Sequence, residues 1–347
     1  MKSKIEKSHN NHKTNSQKHD EVKGKFLDKQ TWCVYLDEFA ASRIFAASPP
    51  AEWADIAVLI KQGINIGKLL CPYSIEQMAE SSRMDKESAI FLDNESRNFS
   101  LGWCFLNEAD ISANYLISRV RKIEMQKNHF IHNKNLNRMD EPNIYEKLGE
   151  RNETFRKMIK EGGASVNIIR TVTRSSPRRK KVYRDFLVNH IKNDYAEELK
   201  KRMFWLGTQT RYTPKPITLT GHDILFWADV ISHLLVREHH MTQIEAQAAF
   251  WILEKEGIDA IPSLSIRASL EAMIVYKNSI EIHNDQMDIL RIAGALPFAD
   301  IMLIDGSKAH DVRELNLDKK FQTNIYSGKK KELENLSERL NCIILAD

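Results

Sequence analysis

Cysteine is scarce in this chain. There are four in 347 residues, Cys33, Cys71, Cys104 and Cys342, and no two form a Cys-x-x-Cys pair. That pattern argues against a zinc knuckle and against a disulfide scaffold. Three of the four sit in apolar runs that read as strands, so buried, reduced thiols in a cytoplasmic protein are expected. Long apolar runs are missing too: the longest, such as 301–304 and 342–346, are strand-sized and fall far short of the roughly 20 residues that cross a bilayer. The Lys-, His- and Asn-rich N-terminus has no apolar core, so no secretory signal and no membrane partner are expected. No Gly-x-x-x-x-Gly-Lys loop surrounds Gly162-Gly163, and His222, His239 and His240 show no metal-binding spacing. No Ser or Cys nucleophile motif and no fixed-period repeat are visible. Net charge is modest at +4, which permits a phosphate-bearing partner without demanding one.

What is present is ordinary globular material. Hydrophobic residues make up 42% and charged residues 28%, enough to bury a large core without staples in one large domain or two smaller ones. Residues 1–28 hold few large apolar side chains and read as a disordered basic tail. From there the chain alternates. Trp32–Leu36 reads as a buried strand, 38–47 as a helix stopped by Pro49-Pro50, 53–63 as a second helix, and 68–73 as a strand. Ser74 then caps a helix carrying Glu76 and Glu80. The far end alternates in the same way: a helix from 284 to 296, a strand over 300–304, a strand over 322–326, a helical face at Leu333, Leu336 and Leu340, and a last strand over 341–345. This predicts an α/β fold with a parallel sheet. Its two parts, 29–85 and 281–347, flank a helical insertion over 86–280, where the run around Cys104 is the main strand signal. Helices are expected there at 108–127, 143–161, 178–206, 221–237, 242–256 and 265–276, with Trp205, Phe226, Trp227, Phe250 and Trp251 in the core.

Acids collect where such a sheet places its ligands, beyond the carboxyl ends of the strands. Asp37 follows the first strand and Asp305 the third. Glu80 lies in the helix after the second. Asp285 and Asp288 share a helix face at i and i+3. Taken singly, each has a plain alternative: a turn residue, a helix cap or a solvated face. Together they form carboxylates without matching cations, a costly arrangement that a bound Mg²⁺ or Mn²⁺ would relieve. Such ions activate water and stabilise phosphoryl oxygens.

These segments resemble the PIN-like nucleases. Val34-Tyr35-Leu36-Asp37 is similar to their opening motif, and Cys71-Pro72-Tyr73-Ser74 with Glu80 resembles the second motif of one PIN-like group. Asn284-Asp285-Gln286-Met287-Asp288, then Leu296-Pro297-Phe298-Ala299-Asp300 and an apolar strand ending in Asp305, resembles that group's late motif. The resemblance covers about 32–105 and 262–347. It implies a three-layer α/β/α PIN-like fold with a parallel central sheet and a metal-dependent endoribonuclease. Asp37, Glu80, Asp288 and Asp305 would be catalytic metal-binding acids and Asp285 a fifth ligand. Many PIN-like chains place Asn two residues after the first Asp and Thr before the last. Phe39 and Ile304 stand there instead.

A basic run, Arg178-Arg179-Lys180-Lys181, is the candidate nucleic-acid contact. Between Arg170 and Arg202 there are 11 Lys or Arg against 4 Asp or Glu. The expected substrate is single-stranded RNA, with room for a protein partner such as an antitoxin. Two other classes compete: a PIN-like scaffold or nucleic-acid-binding module without catalysis, and a helical adaptor whose acids merely close turns.

Overall fold

A computed structural model describes residues 31–46, 48–74, 77, 86–133, 181–208, 217–219, 222–224, 226–277 and 283–346. The expected tail, the helix at 143–161, Glu76, Glu80 and Arg178, Arg179 and Lys180 lie outside them.

Four short parallel strands form one sheet. They are β1 (Trp32–Leu36), β2 (Leu69–Leu70), β7 (Ile301–Leu303) and β8 (Asn324–Tyr326), in the order β2-β1-β7-β8. Strands from the two ends of the sequence meet at its centre, where Val34, Tyr35 and Leu36 align with Ile301, Met302 and Leu303. Side chains alternate across a strand, and here both faces are apolar. Trp32, Val34 and Leu36 face one buried cluster, while Cys33 and Tyr35 face another. The first face is covered by α1 (Glu38–Ile44), α2 (Ala51–Asn65) and the C-terminal α12 (Lys330–Leu345). Gly63 lets α2 approach β2 closely, because a Cβ there would sit 2.4 Å from the Leu69 side chain.

The opposite face carries the helical body. It comprises α4 (Glu108–Arg121), α5 (Lys181–Thr208), α6 (Trp227–Arg237), α7 (Gln243–Glu256) and α8 (Pro262–Lys277), followed by α9 (His283–Ala295) leading back to the sheet. Two further helices, α10 (Gly306–Glu314) and α11 (Leu317–Phe321), separate β7 from β8, and α3 (Lys86–Ser100) precedes α4. Phe298, in the Leu-Pro-Phe turn after α9, joins the two parts. Its ring stacks on Phe130 at 5.0 Å and meets Phe105 edge-on at 6.2 Å.

The structure corrects several expectations. Residues 341–345 are the last turns of α12, not a strand. Ile343 and Ile344 continue the three- and four-residue spacing of Leu333, Leu336 and Leu340 and are buried with them, which a five-residue apolar run cannot reveal by itself. Cys342 consequently lies exposed on that helix, while Cys33, Cys71 and Cys104 are buried thiols. The middle of the chain holds more strand than expected. β3 (Trp103–Phe105) pairs antiparallel with β4 (Ile131–Asn133), and β5 (Ile217–Leu219) with β6 (His222–Ile224), so α6 begins at Trp227 rather than at 221. Helix α4 ends at Arg121, where Lys122 turns left-handed at φ 55°. Trp205 and Trp251 are 49% and 66% exposed rather than in the core, because Leu199, Met203 and Leu253 take the inward faces of α5 and α7.

Candidate functional site at the carboxyl edge of the sheet

Asp37 closes β1 and starts α1. Its N–H donates to the Leu303 carbonyl at 2.9 Å, which ties it to the end of the neighbouring β7. Asp305, two residues beyond β7, caps α10: its Oδ1 accepts from the N–H groups of Ser307 at 2.5 Å and Lys308 at 3.3 Å. Helix α9 crosses this edge and presents Asp285 and Asp288 one turn apart, as the i, i+3 spacing requires.

Two cations that the sequence reading left out lie among these acids. Arg291, three residues after Asp288 on α9, has a side chain only 1% exposed. Its Nη1 donates to Asp37 Oδ1 at 2.7 Å and lies 3.9 Å from Asp288 Oδ1. The two carboxylate oxygens are therefore no farther apart than the sum of those distances. Lys308, in the first turn of α10, is buried. Its backbone N–H serves Asp305 while its Nζ reaches Asp285 at 2.6 Å. Arg291 thus joins Asp37 to Asp288, and Lys308 joins Asp305 to Asp285. The expectation that no cation matches the acids is overturned. The signal was available, because Arg291 stands three residues after Asp288 on the same helix face.

The second motif is placed at the same edge. Ser74 Oγ accepts from the Gln77 N–H at 3.2 Å, and Gln77 Oε1 accepts from the Ser74 N–H at 2.8 Å, a reciprocal cap. Gln77 Nε2 donates to the Leu36 carbonyl, fixing this turn against the end of β1. A small cleft lies beside Arg291, lined also by Tyr35, Ser74, Glu108 and Gly294. Glu80, expected in this motif, lies outside the described residues.

Asp300 belongs elsewhere. It sits at the opposite end of β7, buried, where its Oδ2 accepts from the Cys33 N–H at 2.8 Å and its carbonyl from the Asn324 N–H at 2.8 Å. It fastens three strands at their starts. Phe39 and Ile304, the two departures from the PIN-like pattern, are packing residues in this chain. Phe39 meets Trp53 edge-on at 5.8 Å, and Ile304 is buried.

The donor set is all carboxylate oxygen, which suits a hard divalent ion in kind. Counting Asp37, Asp285, Asp288 and Asp305 against Arg291 and Lys308, these six side chains carry a net charge of −2. Among the described residues, no group of three or more His, Cys, Asp or Glu side chains converges tightly enough to hold a metal. The acids are brought together in cation-bridged pairs instead.

Of the basic run, Lys181 opens α5 and is exposed. Farther along α5 the basic residues are taken up in ion pairs: Lys192 with Asp259, Lys200 with Glu254, Lys201 with Glu198, and Arg202 with Asp229. Among the described residues no helix is long and apolar enough to cross a membrane. No family model, curated protein or solved structure matches the chain.

Proposed function

We propose that this chain is a PIN-like, Mg²⁺- or Mn²⁺-dependent endoribonuclease acting on single-stranded RNA in the cytoplasm. The observation that carries the reading is the placement of acids from three separate elements, Asp37 after β1, Asp285 and Asp288 on α9 and Asp305 after β7, near the carboxyl edge of a parallel sheet, where Arg291 links one pair and Lys308 the other. Helices on both faces of that sheet suit the three-layer PIN-like arrangement.

The resemblance assigns the ion to Asp37, Asp288 and Asp305, with Asp285 and Glu80 completing the set, and binding would require the described acids to leave their two pairs and draw together. An ion there supplies an activated water and steadies the departing oxygen. The chain's own residues do the rest. Arg291 and Lys308 hold the carboxylates in place when no ion is bound, since like charges left alone repel. Both are buried positive charges that stay among the acids whether or not an ion is bound. Arg178, Arg179, Lys180 and Lys181 would track the backbone of the substrate.

The test incubates purified protein with labelled RNA, with and without Mn²⁺, beside Asp37→Asn and Asp288→Ala. We expect cleavage that needs Mn²⁺ and is lost in both variants. Cleavage that survives chelation and the Asp288 change would overturn the reading. One observation favours the alternative of a PIN-like scaffold or nucleic-acid-binding module: Arg291 and Lys308 already neutralise half of the acids. Metal-induced stabilisation with no cleavage of any RNA or DNA would select that alternative.

A further inference from the structure

Helices α5 and α7 lie antiparallel. Near the end of α5, the Gly207 carbonyl accepts from Gln247 Nε2 of α7 at 3.0 Å, and two turns earlier Lys200 Nζ lies 2.5 Å from Glu254 of α7. Between these two ties stand rings that the core does not take. The Phe204 ring lies 6.3 Å from that of Phe250, and Phe250 meets Trp251 edge-on at 5.4 Å. Phe204 is 55% exposed, Trp205 49% and Trp251 66%. Ile244, two turns before Trp251 and so on the same helix face, is 79% exposed.

A covered ring buries about 150–250 Å², so the open parts of Phe204, Trp205 and Trp251 come to about 400 Å². An apolar patch of that size on a folded chain is often a contact surface. Each partner in a stable pair contributes about 800 Å², with an apolar, aromatic-rich centre inside a polar rim. The three rings and Ile244 supply such a centre. The rim identifies the partner. Lys200 and Lys201 pair with Glu197 and Glu198 on their own helix, at 2.6 Å each, and Lys200 also reaches Glu254 on α7. Cations do not outnumber acids in this rim, so a phosphate backbone finds no surplus charge to hold it. A second copy of the same surface does match. About a two-fold axis the patch meets its own image, and exposed side chains of both signs face each other across the axis.

We propose that the surface formed by Phe204, Trp205, Ile244, Phe250 and Trp251 is the contact between two copies of this chain, paired about a two-fold axis. The inference goes beyond the nuclease reading and needs none of the acids at the sheet edge. The experiment measures the mass of the full chain in solution, by light scattering and sedimentation, over a wide range of concentration and in chelator. The parent is compared with Trp251→Ala, Ile244→Glu and a control, Val58→Glu. Val58 is an exposed residue of α2, the helix on the opposite face of the sheet. We expect the parent to pass from monomer to dimer as concentration rises, with a thermal midpoint that rises alongside. Trp251→Ala should weaken the dimer at least tenfold, as truncation of a central Trp does. Ile244→Glu brings a charge into the contact and should leave a monomer. Both should keep the parent's helical circular dichroism, because neither side chain is in the core. If Trp251→Ala loses that signal, Ile244→Glu decides alone. Val58→Glu should dimerise like the parent. A parent that stays monomeric at every concentration overturns the proposal. A dimer that Trp251→Ala and Ile244→Glu leave intact also overturns it, since the contact then lies elsewhere. So does an assembly of three or more copies, or one that Val58→Glu weakens equally. If the two variants keep the parent's mass but bind labelled oligo-U more weakly, the rings face nucleic acid and the proposal falls. Loss of Mn²⁺-dependent cleavage in Asp37→Asn or Asp288→Ala leaves these masses unaltered, so the two readings fail separately.

Discussion

Two groups of buried charge can be compared in this molecule, one at the sheet edge and one inside the helical body. In the body, Arg267 on α8 pairs with Glu108 at 3.3 Å and Glu271 at 3.1 Å. Its guanidinium lies over the rings of Tyr195 and Trp227, and the Tyr195 hydroxyl donates to Glu271 at 2.8 Å. Ser112 donates to Glu108 at 3.0 Å. Burial raises the Glu108 carboxyl from its ordinary value, against the pull of Arg267 and Ser112. The group therefore lessens its surplus of negative charge by holding a proton more readily. At the edge, four carboxylates meet two cations, and the side chains of Asp285 and Asp288 remain 26% and 17% exposed. A closed, ring-covered network fixes helices against one another. A partly open one leaves two of its carboxylates in contact with water.

The largest effect should come from the closed network. Arg267→Ala leaves Glu108 buried without its cation and uncovers two rings. Breaking a buried pair in this way costs about 3–5 kcal/mol, to be read from urea unfolding. A loss below about 1 kcal/mol would mean that the network holds nothing together. At the edge, Arg291→Met should cost less, about 2–3 kcal/mol, because Asp37 and Asp288 keep some access to water. Its second readout separates the two regions. With one cation gone the edge becomes more negative, so Mn²⁺ should raise the thermal midpoint of Arg291→Met more than that of the parent. Arg267→Ala should show no such gain. An equal metal response in all three proteins would erase the distinction.

The sheet edge was legible in the sequence because strand-ending acids obey a local rule. Asp37 and Asp305 follow apolar strands, and Asp285 and Asp288 share a helix turn. Arg291 is one turn from Asp288 and falls under the same local rule, but its bond to Asp37 spans 254 residues and has no local signature. The partnership of Lys308 with Asp285 joins α10 to α9 and has no signature in local spacing. The same holds for the closed network: Glu108 and Arg267 stand 159 residues apart, and only the packing of α4 on α8 brings them together. The final helix was misread as a strand for the opposite reason. Its local run of Cys342 to Leu345 is compatible with either period, and tertiary contact with α2 decides it.

The pH dependence of stability should distinguish the regions more finely. Because the folded value of Glu108 is raised, its contribution is fully present below its ordinary value of 4.5 and is lost as pH rises through the raised folded value. Glu108→Gln removes that titration while keeping groups able to bond Ser112 and Arg267. The variant should therefore lose less stability than the parent between pH 4.5 and neutrality, in urea unfolding at a series of pH values. Parallel curves would show that the burial of Glu108 is matched in the unfolded chain.

The smallest effect concerns Asp305, whose plainest explanation is that it only caps α10. Its Oδ1 accepts two cap bonds, from the N–H groups of Ser307 and Lys308. Asp305→Ala should therefore cost about 0.5–2 kcal/mol, the usual range for a lost cap. Asp305→Ser keeps a side-chain oxygen in reach of those N–H groups and should recover most of that loss. A serine hydroxyl carries no charge and is a weaker ligand than a carboxylate for a hard divalent ion. The two roles thus part company in one pair of variants. Stability should return with serine, while the Mn²⁺-dependent rise of the thermal midpoint should stay diminished in both. If Asp305→Ser responds to Mn²⁺ as the parent does, Asp305 is a cap alone. The acids at the edge then reduce to Asp37 and the pair on α9, and the likeness between this edge and the closed network becomes closer than the comparison allows.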